Sequence, residues 1–414
     1  MTTLEISTTE DRRPRRSRVP AIAAVCVALL WLGRGAAYEQ RDVPGKLSDS
    51  DFWRLITEAS EQGGSFPSEN FVSNETEFQT VIPRLKADVQ TGGIYVGVGP
   101  DQNFTYIAAL KPAMAFIVDI RRQNLLHHLL YKALMEMSPT RADFLTRLFG
   151  RPKPKGVADN APAGVLFAPY LTTEETPGAF DRNLRDVLGR LKGHHGFVLS
   201  PSDESTIARI LRIFHAHGPD IAYATSYIGT QMRDGVIVRT PMSIFPGFAD
   251  LMVQTDKDGF NHAYLADESR YRTVRDMQLK NLIVPIVGDF AGPKAIRAVG
   301  AYVRARKATV TTFYTSNVEQ YLFQNGVWED YYANVASMPL DDSSRFIRAY
   351  FPSAQLGGRV YTIRPTDPPQ MLFSRPGGMG FIESESLICS ITDLIAAVDT
   401  GKVQTYYDVV QFSK

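Results

Sequence analysis

The stretch that decides the fold is Ile94-Tyr95-Val96-Gly97-Val98-Gly99, followed by a helical pattern over 104–110 and then Met114-Ala115-Phe116-Ile117-Val118-Asp119. Neither apolar run alternates with polar residues, so both read as strands covered on two faces, the habit of a parallel sheet. Strand, glycine turn, helix and strand within about 30 residues make a βαβ unit. A second unit follows: Asn281-Leu282-Ile283-Val284-Pro285-Ile286-Val287-Gly288-Asp289 as a strand, an amphipathic helix over 294–306, and a β-branched strand over 309–314 running into Thr315-Ser316-Asn317. The pattern predicts an α/β fold with a doubly wound, mostly parallel sheet of about seven strands and helical insertions.

Outward from these units the chain reads as one domain over 51–414. Helices are expected from Asp51, with Phe52, Trp53, Leu55 and Ile56 inward and Gly63-Gly64 ending it, and then at 78–85, 123–137, 140–148 and 202–214. Residues 151–190 are rich in proline (Pro152, Pro154, Pro162, Pro169, Pro177) and read as an insertion lying over the sheet, followed by a short strand at 196–200. In the tail, strands at 360–363 and 406–411 flank a helix at 387–398 stopped by Gly401.

The 414 residues are 44% hydrophobic and 21% charged, enough apolar content for one large core. A net charge of +1 gives no general attraction to phosphate backbones, so nucleic acid is not an expected partner. Of the two cysteines, Cys26 lies in the N-terminal apolar run and Cys389 in the domain, so the domain has no internal disulfide. Arg12, Arg13, Arg15, Arg16 and Arg18 precede an apolar run over 19–33, and Gly35-Ala36-Ala37 follows. That order is secretory. Residues 1–37 therefore read as a signal peptide or membrane anchor, with 38–50 as a linker around Pro44-Gly45. The domain is expected to be exported (periplasmic or extracellular) or anchored to the inner membrane, touching the membrane only through 19–33 if these are not cleaved.

Gly97-Val98-Gly99 ends the first strand, where bare backbone lets a ligand approach and the next helix offers unpaired N–H groups. Asp119 ends the neighbouring strand, where nucleotide-binding α/β folds place a carboxylate on ribose hydroxyls. The ligand is not a dinucleotide by this pattern, because the third glycine of G-x-G-x-x-G falls at Gln102. No Gly-Lys-Ser/Thr phosphate loop follows either. The paired histidines His127-His128, His194-His195 and His215/His217 lack helical ligand spacing, and no metal site is expected.

The short G-x-G and acidic strand end are similar to the S-adenosylmethionine (SAM) site of class I methyltransferases. Phe71-Val72-Ser73-Asn74-Glu75, Tyr95-Val96-Gly97-Val98-Gly99-Pro100, Val287-Gly288-Asp289-Phe290-Ala291-Gly292 and Phe313-Tyr314-Thr315-Ser316-Asn317-Val318-Glu319 resemble segments of a family of uncharacterised bacterial proteins with a SAM-dependent methyltransferase-like, Rossmann-like fold. The resemblance covers roughly 47–350. It implies a seven-stranded sheet, SAM as the possible cofactor, and Gly97, Val98, Gly99, Asp101, Asp119 and Asp289 around it; it implies no established activity. The chain departs from the methyltransferase pattern at Tyr95, where an acid is usual, and at Asp101, where a third glycine is common.

Asp289 reads as the end of a central strand. There it either orients or deprotonates an acceptor, or caps the helix near Gly292-Pro293. Tyr314, Asn317 and Glu319 either complete a polar wall beside it or start the next helix, with Asn317 as cap and Glu319 in its positive first turn. Two functions follow: methyl transfer to an unknown small acceptor, or non-catalytic binding of a nucleoside, a sugar or a protein in the same crevice. Export pulls against SAM, which is kept in the cytosol.

Overall fold

The computed structural model describes residues 42–223, 230–233, 236–239, 245–356, 359–362 and 382–413. The N-terminal segment, and with it the export reading, lies outside them. Among the described residues no helix is long and apolar enough to cross a membrane.

The domain opens before its first helix. Asp42 N–H donates to the Arg306 carbonyl and Leu47 N–H to that of Lys280, so the stretch expected as linker is packed from residue 42 onward. Helix α1 (Asp49–Ala59) starts where the Ser48 hydroxyl accepts the Asp51 amide, and it buries Phe52 and Ile56. It ends at Ser60, short of the glycine pair. Helix α2 (Ile82–Asp88) is a short turn entered through Pro83. Then come β1 (Ile94–Gly97), α3 (Gln102–Leu110), β2 (Met114–Asp119), α4 (Arg122–Glu136) and α5 (Arg141–Phe149). The proline-rich insertion is helical in α6 (Ala163–Thr172) and α7 (Ala179–Leu188), then continues through a π-helical turn into α8 (Pro201–His217). A two-stranded ribbon, β3 (Thr230–Arg233) with β4 (Val236–Arg239), precedes α9 (Phe248–Val253) and α10 (Glu268–Leu279). The second unit is β5 (Ile283–Val287), α11 (Ala295–Arg304) and β6 (Val310–Ser316). Helices α12 (Val318–Gln324) and α13 (Trp328–Ala336) lead to β7 (Arg345–Leu356), β8 (Arg359–Thr362), β9 (Ile382–Ser390), α14 (Ile391–Asp399) and α15 (Tyr406–Phe412).

The main sheet runs β5-β2-β1-β6-β7, parallel throughout. β9 joins β7 antiparallel along its length, and β8 pairs antiparallel only with its far end, Ser353–Leu356. Every residue of β1, β2 and β5 is buried, as two-sided cover requires. That cover comes from two groups of helices. α4 lies on β2 and β5 and packs with α5, α8 and α10, while α11 lies on β2 and packs with α1 and α13. The order resembles that of doubly wound nucleotide-binding sheets. Its topological switch lies between β1 and β6, since the chain builds outward from β1 in both directions.

Three local expectations fail for visible reasons. Residues 196–200 form no strand; they deliver Ser200, itself extended, to cap α8. Residues 387–390 continue β9, and the helix starts only where Ser390 accepts the Asp393 amide. The run at 406–411 is helical, because Thr405 and Asp408 form a reciprocal capping box that outweighs its β-branched pair.

Candidate functional site

Ligands of open α/β sheets bind outside the carboxyl ends of the strands, at the switch. Gly97 and Asp119 both lie at that edge on adjacent strands, with Gly97 paired to Ile117 in register. The glycine turn, however, is filled by the protein itself. Asn103 Nδ2 donates to the carbonyls of Val98 (2.8 Å), Gly99 (3.2 Å) and Pro100 (2.7 Å), and Tyr95 Oη donates to Asn103 Oδ1 at 2.9 Å. A Cβ on Gly97 would stand 2.0 Å from Asn103 Oδ1, so this glycine admits a side chain of its own fold rather than a ligand. From the far side His128 Nε2 donates to Gly99 O at 2.8 Å. Burial pushes that imidazole down to about 4, which keeps it neutral.

Asp119 is also committed. It is 3% exposed and accepts from Arg121 N (2.9 Å), Nε (3.0 Å) and Nη2 (2.8 Å). Arg121 Nη1 goes on to the carbonyls of Ser68 and Glu69, pinning the segment before β1 over this edge. Asp119, expected at a ribose, is thus held here in a buried ion pair. Asp101 turns inward, 1% exposed, with the Tyr264 hydroxyl 3.4 Å from Oδ2; desolvation raises its carboxyl to about 7. Val98 is buried beside it.

The proposed catalytic wall does not assemble. Asp289 follows β5, which is the edge strand and not a central one, and β2 and β1 stand between it and β6. Three strand spacings separate them by roughly 14 Å. Asp289 Oδ1 accepts the Ala291 amide in a local turn. The helix beyond is capped instead by Glu61, whose Oε1 accepts the amides of Lys294 (2.9 Å) and Ala295. Glu319 is fully buried and receives the Arg348 guanidinium bidentately, the Tyr332 hydroxyl at 2.7 Å and the Thr315 hydroxyl at 3.3 Å. It is a structural ion pair. Asn317 holds the cap position of α12 without a side-chain cap bond.

Tyr314 leads to what the sequence reading missed. Its hydroxyl donates at 2.7 Å to Oε1 of Glu75, a carboxyl 1% exposed on the loop before α2. Ser316 Oγ donates to the same oxygen, and Gln102 Nε2 donates to Oε2 at 2.7 Å. Ser316 sits past a register shift in β6 and has φ +52°, a left-handed conformation costly for a residue with a Cβ. Such strain and such bulges gather at functional sites. Burial raises the Glu75 carboxyl, opposed by its three neutral donors. Gln102 Oε1, itself buried, has no hydrogen-bond partner among the described residues. Ser316 and Asn317 are half-buried and form the accessible rim. The cluster thus lies at the switch between β1 and β6.

A family described as a domain of unknown function (DUF7790) matches residues 70–158 and 245–359. The chain is similar to it over the sheet core. Glu75, the glycine turn, Asp101, Asp119, Asp289, Tyr314, Ser316, Glu319 and Arg348 all fall within the matched stretches, whereas α6, α7 and α8 fall between them. No curated protein matches the chain.

Proposed function

We propose that this is an enzyme-like, small-molecule-binding domain whose ligand docks at the β1/β6 crevice against Glu75 and Ser316. The observation that carries the reading is Ser316 itself: a strained serine at the switch point whose hydroxyl meets a buried carboxyl lacking a cationic partner in its hydrogen-bond shell. A carboxyl in that state accepts a hydrogen bond from a ligand hydroxyl, or takes its proton. The ligand class is accordingly hydroxyl-rich, a nucleoside or a sugar. Export of the domain through residues 1–37 belongs to the same proposal.

The strand order and the placing of Asp119 one strand from the glycine turn favour a second reading, SAM-dependent methyl transfer on a methyltransferase-like seven-stranded sheet. It requires Asn103 and Tyr95 to leave the notch they fill. Calorimetric melting of the full chain with adenosine, SAM, its demethylated product and a set of monosaccharides separates the two. The first reading expects a nucleoside or sugar to raise the midpoint, and Ser316→Ala to abolish the rise. A rise with SAM that survives Ser316→Ala, or no rise with any ligand, would overturn it.

A further inference from the structure

Away from the carboxyl edge, a cavity of about 480 Å³ opens between the family-matched core and the helical insertion. One wall is one side of α5 and the loop after it, with Asp143, Arg147 and Arg151; the other is Thr176 and the start of α7, with Arg182. The volume suits a small ligand, for which pockets run about 300–1,000 Å³.

The charge of the lining is one-sided: Arg147, Arg151 and Arg182 against Asp143. Asp143 is already engaged, since Oδ1 accepts from Lys153 Nζ at 2.7 Å and Oδ2 from the Thr140 hydroxyl at 2.6 Å. Arg151 is 3% exposed, fixed by an Nη1 bond to the Tyr170 carbonyl, and packed where a Cβ on Gly218 would meet its Cζ at 2.3 Å. Gly218 thus makes room for that guanidinium. Arg147 touches Asp186 through Nη1 alone, at 3.1 Å, and both partners are partly exposed, so a ligand anion can replace that contact at little cost. Arg182 Nη1 rests on the Pro177 carbonyl at 3.1 Å. Planar guanidinium forks on residues that line one cavity match the oxygens of phosphate and carboxylate groups.

We propose that this cavity binds a small polyanion, an organic phosphate or a polycarboxylate, through Arg147 and Arg182, with the buried Arg151 adding positive charge to the lining. The site is independent of the β1/β6 crevice. Titration calorimetry of the full chain with pyrophosphate and with citrate, at constant ionic strength, tests it. One of the two should bind saturably at one site, and Arg147→Ala/Arg182→Ala should weaken that binding at least about tenfold. Pyrophosphate binding assigns the phosphate class and citrate binding the carboxylate class. Absence of binding by both, or equal binding by the variant, overturns the proposal. Both arginines lie toward the surface, so the variant should melt with the parent; if it does not fold, Arg182→Glu alone carries the test with the same two outcomes.

Discussion

Glu319 and Glu75 are both buried at the end of β6, at 0% and 1% exposure, and alternate residues of that strand reach them: Thr315 the first, Tyr314 and Ser316 the second. Around Glu319 the fold supplies a full guanidinium, that of Arg348. Around Glu75 it supplies two hydroxyls and an amide. The same contrast separates Asp119, paired with Arg121, from Asp101, which faces Tyr264. A guanidinium partner supplies the counter-charge that a buried carboxylate needs, whereas neutral donors supply none. Buried carboxyls without cationic partners are thus the ones free to do chemistry, and those with them are struts.

The largest effect should come from breaking a strut. Arg348→Met strands the Glu319 charge in the core, and urea unfolding should show a loss of about 3–5 kcal/mol. Next is the pH signature of Asp101. Its folded carboxyl titrates at about 7, above the unfolded value of about 3.9, so the folded state binds the extra proton. The contribution of Asp101 to stability is therefore greatest below the unfolded value and is lost as pH rises from about 4 to about 7, by a few kcal/mol in order of magnitude. Asp101→Asn should flatten that slope in melts recorded across the window. The smallest effect belongs to Ser316→Gly. Glycine accepts the left-handed backbone freely, offsetting the lost hydrogen bond, so net stability should move by no more than about 1 kcal/mol. Ligand-induced stabilisation should nevertheless disappear. A large destabilisation would make Ser316 a strut like Glu319.

The parallel core was legible because its signals are local. The apolar runs at 94–98 and 114–118 and the glycine between them mark strands wherever they occur, and both pair as expected. The site was legible only in part. Asp119 and Arg121, two residues apart, could have announced their ion pair from spacing alone. The distance between Asp289 and Tyr314 could not be read, because consecutive strands of the second unit lie on opposite sides of β1 and sequence order hides the crossover. Glu75 lies in a loop whose sequence carries no sign of its role. A loop carboxylate has no periodicity, and its neighbours Gln102, Tyr314 and Ser316 come from 27 to 241 residues away. The filled notch at Gly97 was hidden for the same reason, since glycine admits a ligand and an asparagine alike.

The central claim, that Glu75 is a functional acid and Glu319 a structural one, is tested most directly by urea unfolding of Glu75→Gln and Glu319→Gln side by side near neutral pH. The account predicts that Glu75→Gln changes stability by less than about 1 kcal/mol or raises it, because an amide removes a charge that burial disfavours. Glu319→Gln should lose about 3 kcal/mol or more by leaving Arg348 without its counter-charge. Equal losses in the two variants would contradict it.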